Sequence, residues 1–114
     1  MENGEPRVKV EVLYLSECPS YPAAVKLVRE VLAAQSLATD IHEVLVRDER
    51  MASELKFLGS PTIRINGRDV TGEDHKLESY ALSCRLYPGS KQIGLPPEET
   101  IRLAILEAQP GEPR

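Results

Sequence analysis

The stretch SPTIRINGRDV, Ser60 to Val70, decides the fold. Two short strand-like runs flank Asn66-Gly67, the preferred pair for a two-residue hairpin turn. That turn predicts Ile65 opposite Arg68 and Ile63 opposite Val70, and it brings Gly72 level with Pro61. A tight hairpin entered through Ser60-Pro61 makes this part of the chain the antiparallel end of a sheet.

Upstream, VKVEVLYL (Val8 to Leu15) alternates and then becomes wholly apolar, as expected of a strand buried on both faces at its far end. Tyr21, Ala24, Val25, Val28, Val31 and Leu32 then follow helical spacing and form one apolar stripe. IHEVLV (Ile41 to Val46) is a β-branched-rich second strand, reached through a helix and so expected to run parallel to the first. Asp48 caps a short predicted helix through about Leu58, with Met51, Leu55 and Leu58 facing in and Gly59 ending it. Downstream, residues 73–95 lack a clean period and read as an inserted, ordered loop with at most one helical turn. PPEETIRLAILEA then opens a helix with prolines and acids at its amino end. The expected order is β-α-β-α-β-β-α: an α/β domain over residues 7–109, behind a loose tail at 1–6. A four-stranded mixed sheet with helices on both faces is the simplest arrangement.

The composition narrows the function. A chain of 114 residues suits one domain with its own core, and a hydrophobic fraction of 41% with 28% charged residues is ordinary for a globular protein. The net charge of −4 leaves no positive excess to neutralise phosphates, and one Phe, four Tyr and no Trp give little for stacking bases. A nucleic-acid binder is therefore not expected. Neither a signal peptide nor a membrane-span-length apolar run is visible, which predicts a cytoplasmic, reducing setting without membrane partners. Two cysteines in that setting point to free thiols, redox groups or metal ligands.

Cys18 lies in SECPSYP, between the first strand and the first helix. A thiol reacts as its thiolate, and unpaired N–H groups at a helix start stabilise that anion. Pro19 fits the first helical position, where no N–H is needed, while Glu17 opposes the anion. A buried structural cysteine is the competing reading. Cys84 has two readings: core packing with Leu82 and Leu86, or a resolving thiol or second ligand to Cys18. Cys18, Cys84 and His75 form a conceivable soft-metal trio, although their linear spacing resembles no zinc site. His42, Arg64, Arg68 and Arg85 are expected on solvated faces, Arg85 alternatively beside a thiolate. Tyr21 is expected to pack with its hydroxyl in solvent or on the Cys18 sulfur. No phosphate-cradling glycine loop, Ser-His-acid set or metalloprotease motif is present.

The element order, CPSY after the first strand and GSPT before the third together resemble the thioredoxin-like superfamily. The run PTIRINGRDVTGED is further similar to glutaredoxins, with Gly67, Gly72 and Asp74 in register. The resemblance implies a cis bond at Pro61, facing Cys18 across the ends of antiparallel strands. The Ser60 peptide would then hydrogen-bond an extended thiol substrate. It also implies a substrate-binding set of Pro19, Tyr21, Ser60, Pro61, Thr62, Gly72 and Asp74, with Asp74 holding the amino group of a glutathione cosubstrate. Tyr21 stands where the superfamily places its second cysteine, and Ser16 and Glu17 stand where glutaredoxins carry a basic residue. The expectation is monothiol exchange with protein or small-molecule thiols and disulfides, by Cys18 and with Cys84 as possible second thiol. A fainter likeness to small proteins related to alkylmercury lyase implies soft-metal capture as an alternative. A scaffold or interaction module with a decayed motif is another. Oligomeric state is left open.

Overall fold

The computed structural model describes residues 8–37, 39–72, 85, 87 and 94–108. β1 (Val10–Tyr14) is the spine of a four-stranded mixed sheet. It pairs in parallel with β2 (Ile41–Leu45) and antiparallel with β3 (Thr62–Ile65), and β3 pairs antiparallel with β4 (Arg68–Asp69). The order is β2-β1-β3-β4. Helices α1 (Tyr21–Ala34), α2 (Glu49–Leu55) and α3 (Glu98–Ala108) complete the element order read from the sequence.

Alternation along the strands divides the core between two faces. Val10 and Val12 of β1 and Ile63 and Ile65 of β3 meet Ala24, Val28, Val31 and Leu32 of α1 and Ile101 and Ile105 of α3. Leu13, the next β1 residue, points the other way and packs with Val46, Ala52 and Phe57 beside α2. Burying each large aliphatic side chain contributes about 1.5–3 kcal/mol, so these two clusters hold the helices to the sheet.

The hairpin has the predicted register: Ile65 lies opposite Arg68, and the Val70 N–H donates to the Ile63 carbonyl at 3.0 Å. Asn66 and Gly67 both take positive φ (54° and 82°), which is what a two-residue turn matching the strand twist requires. The Asn66 side chain also accepts from the Lys9 N–H at 2.6 Å, pinning the hairpin tip to the start of β1. Beyond Val70 the ladder stops, because the chain turns at Asp69–Gly72, with the Gly72 N–H on the Asp69 carbonyl at 2.9 Å.

Three local expectations are corrected. α1 starts at Tyr21, not at Pro19: the Ala24 N–H bonds the Ser20 carbonyl at 2.9 Å, and Pro22 supplies the proline of the first turn. α2 ends at Leu55, ahead of Leu58 and Gly59. Lys56 adopts the left-handed conformation (φ 55°, ψ 50°), and the Phe57 N–H closes on the Ala52 carbonyl at 2.8 Å, swinging Phe57 into the core. Arg64 is half-buried rather than solvated, because its guanidinium covers the exposed helix end, donating to the Leu55 carbonyl and to that of Lys56 at 2.7 Å. The Asp48 cap is as expected, its carboxylate accepting from the Met51 N–H at 2.9 Å. Among the described residues, no helix is long and apolar enough to cross a membrane.

Candidate functional site

Cys18 is a half-buried free thiol, flanked by exposed Ser16, Glu17 and Pro19. The loop carrying it is built from the backbone. The Cys18 N–H turns back to the Leu15 carbonyl at 3.0 Å, and the Tyr21 N–H reaches the Cys18 carbonyl at 3.4 Å. One N–H at the start of α1 is thus directed to the backbone of Cys18. The thiol-bearing residue precedes the helix rather than forming its first turn, and the helix field weakens quickly with distance from the end.

The antiparallel register of β1 and β3 decides what this loop meets. Leu13 lies opposite Thr62, so continuing the ladder sets Leu15 beside Ser60. The Leu15 N–H donates to Ser60 Oγ at 3.0 Å. The Cys18 loop and the Ser60–Pro61 entry to β3 therefore share one end of the sheet. The Ser60–Pro61 peptide is cis, Ser60 is 2% exposed, and Pro61 is fully buried. Thr62 is buried too, its hydroxyl donating to the Gly59 carbonyl at 2.6 Å. Gly72 is exposed in the turn after β4 (φ 77°). Asp74, His75 and Cys84 lie outside the described residues. Among the described residues, no three His, Cys, Asp or Glu side chains gather as a metal centre would require.

Tyr21, three residues after Cys18, is held by its own partners. Its ring stacks on Tyr14 of β1, with centroids 3.7 Å apart and planes 4° from parallel, and its hydroxyl donates to the Glu43 carboxylate on β2. The hydrogen bond to Glu43 is the main cause of a Tyr21 pKa raised well above the ordinary phenol value, because ionisation would set a phenolate against a carboxylate. His42, its neighbour on β2, is exposed as expected.

A buried polar network at the same Ser60–Pro61 entry escaped the sequence reading. Arg85 is 6% exposed, in contrast to the solvated position expected of it. Its guanidinium grips both carboxylate oxygens of Asp69, donates to Thr71 Oγ1 at 2.9 Å, and lies 4.5 Å from the centroid of the Tyr87 ring. Its backbone N–H donates to the Ser60 carbonyl at 3.0 Å, and the Tyr87 hydroxyl donates to the Pro61 carbonyl. Burial pushes the Asp69 carboxyl up, but the hydrogen bonds and charge of Arg85, helped by Thr71, outweigh it and hold the group below the usual carboxylate range. Gly59 completes the contact, since a Cβ there would stand 2.9 Å from Arg85 Cβ. The signal in the sequence was slight: one arginine in an apolar run, and one aspartate ending a hairpin.

Gly94 packs against Ser20, the residue just before α1. With φ at 82°, a Cβ on it would lie 2.3 Å from Ser20 Oγ. A separate open groove of about 680 Å³ runs between β4 and α3, bordered by Val70, Thr71, Tyr87, Pro97, Leu103 and Ala104, and it does not include Cys18. Compared with models of protein families, with curated proteins and with solved structures, the chain matches none of them.

Proposed function

We propose that this is a thioredoxin-like thiol protein that carries out thiol–disulfide exchange through Cys18 alone. The observation that carries the reading is the β1–β3 register, closed by the Leu15 N–H to Ser60 Oγ bond at 3.0 Å, which sets the thiol loop against Ser60–Pro61. The β2-β1-β3-β4 order, with α1 and α3 on one face and α2 on the other, also supports it.

In this chemistry the Cys18 thiolate attacks one sulfur of a disulfide, a new sulfur–sulfur bond forms, and the other sulfur leaves as a thiolate. A second thiol, such as glutathione, then attacks the mixed disulfide and regenerates Cys18, so no electrons are gained or lost overall. With its ring on Tyr14 and its hydroxyl on Glu43, Tyr21 offers no local thiol to resolve the intermediate.

The test is the second-order rate constant of Cys18 with glutathione disulfide at neutral pH. It is measured by intact mass in a Cys84→Ser background, folded and in urea. Exchange function predicts a folded rate at least about tenfold above the unfolded one. Equal rates, or a slower folded thiol, would overturn the reading.

A further inference from the structure

A polypeptide that docks as an added strand needs free main-chain carbonyls and N–H groups at the edge it joins. Beside Cys18 that edge is Ser60–Pro61, and both of its carbonyls are taken by two downstream residues, Arg85 and Tyr87. Ser60 accepts from the Arg85 N–H at 3.0 Å, and Pro61 accepts from the Tyr87 hydroxyl. We propose that Arg85 and Tyr87 together are a built-in occupant of this edge. The two residues restrict Cys18 to small disulfides and close it to extended polypeptide ones. This inference rests on the exchange reading of Cys18 and names the substrate class it serves.

Both residues are anchored rather than merely adjacent. Arg85 enters a buried ion pair, with side chains 5% and 0% exposed at Arg85 and Asp69. Thr71 takes a further N–H of the same guanidinium at 2.9 Å, and the Tyr87 ring lies against it. Gly59 lets the Arg85 backbone approach, with Arg85 Cα 3.2 Å and Arg85 N 3.3 Å from where its Cβ would stand. A competing peptide would have to displace all of these contacts together before it could reach the Ser60 carbonyl. A small disulfide needs none of them, since it approaches Cys18 past exposed Glu17 and Pro19.

The experiment compares two reagents with the same reacting bond: the thionitrobenzoate mixed disulfide of N-acetylcysteine amide, and the same mixed disulfide in the middle of an extended decapeptide. In both, Cys18 attacks the cysteine sulfur and coloured thionitrobenzoate leaves. Using the Cys84→Ser protein, the small reagent is expected to react at least about tenfold faster than the peptide when the chain is folded, and at a similar rate in urea. Arg85→Ala should bring the folded ratio to within about threefold by releasing the ion-pair anchor, and Tyr87→Phe, which frees only the Pro61 carbonyl, should lower the ratio by a smaller factor. A folded ratio near one overturns this inference alone, as does a large ratio unchanged in both variants. If both reagents react no faster than in urea, the exchange reading itself fails and takes the inference with it. Should Arg85→Ala not fold, the wild-type ratio and Tyr87→Phe decide.

Discussion

Removing one member of the Asp69–Arg85 pair should be among the most damaging single changes available to this protein. The two side chains are 0% and 5% exposed, so a surviving partner cannot be rescued by water where it stands. Breaking such a pair costs about 3–5 kcal/mol, against a typical total stability of about 5–15 kcal/mol. Asp69→Leu and Arg85→Met should each lower stability by that amount, and the melting temperature by about 12 °C or more for a chain of this size. Their combination should recover most of the loss, because two apolar groups in place of two charges leave nothing buried and unpaired. Recovery stays incomplete by about 1 kcal/mol, since the Thr71 N–H, 2.9 Å from Asp69 Oδ2, loses its acceptor. The assay is a double-mutant cycle in urea with a coupling of about 5–9 kcal/mol expected, since the double variant keeps only about 1 kcal/mol of the two single losses. Singles costing under about 1 kcal/mol, or strictly additive losses, would refute the argument. The pair also sets an acid limit. The folded Asp69 carboxyl titrates below its unfolded value of about 3.9, so its stabilisation is complete above that value and is lost as pH falls through the lower, folded one. The double variant should lack this part of the acid-side decline.

Other sites give independent checks. Gly94→Ala combines a positive φ with a Cβ 2.3 Å from Ser20 Oγ, and should cost about 1–3 kcal/mol by urea midpoint; Ser20→Gly in the same chain should restore the part due to the clash. Asp48→Ala removes the carboxylate that accepts from the Met51 N–H and should lower stability by about 1 kcal/mol, visible in the same assay. In an ultraviolet pH titration, one of the four tyrosines should ionise well above the ordinary range; Glu43→Gln should bring it down, and Glu43→Gln without effect would remove Tyr21 as its source.

Much of the architecture was legible because it rests on short-range rules. Asn66-Gly67 specified the hairpin and its register, since these neighbours favour the positive φ values that the turn adopts. The stripe from Tyr21 to Leu32 identified α1, because a helix repeats its apolar face every three to four residues. The ends of helices were read less well. Lys56 rather than Gly59 closes α2, because packing of Phe57 into the core and capping by Arg64 from β3 outweigh the local preference for glycine. The same holds at the thiol. From SECPSYP the helix was expected to begin at Pro19, whereas the hydrogen bonds start it at Tyr21.

Cys18, Pro61 and the hairpin could thus be singled out from the sequence alone, because each is marked by its immediate neighbours. What only the tertiary structure decided is which groups meet the Ser60 and Pro61 carbonyls. An arginine reads as solvated until a partner distant in the chain offers a carboxylate inside the protein. Asp69, sixteen residues before Arg85, does so here, and Arg85 sets its own N–H on the Ser60 carbonyl while the Tyr87 hydroxyl meets that of Pro61. A buried charge is tolerable only with that partner in place, so its position is a property of the folded chain and not of any segment within it.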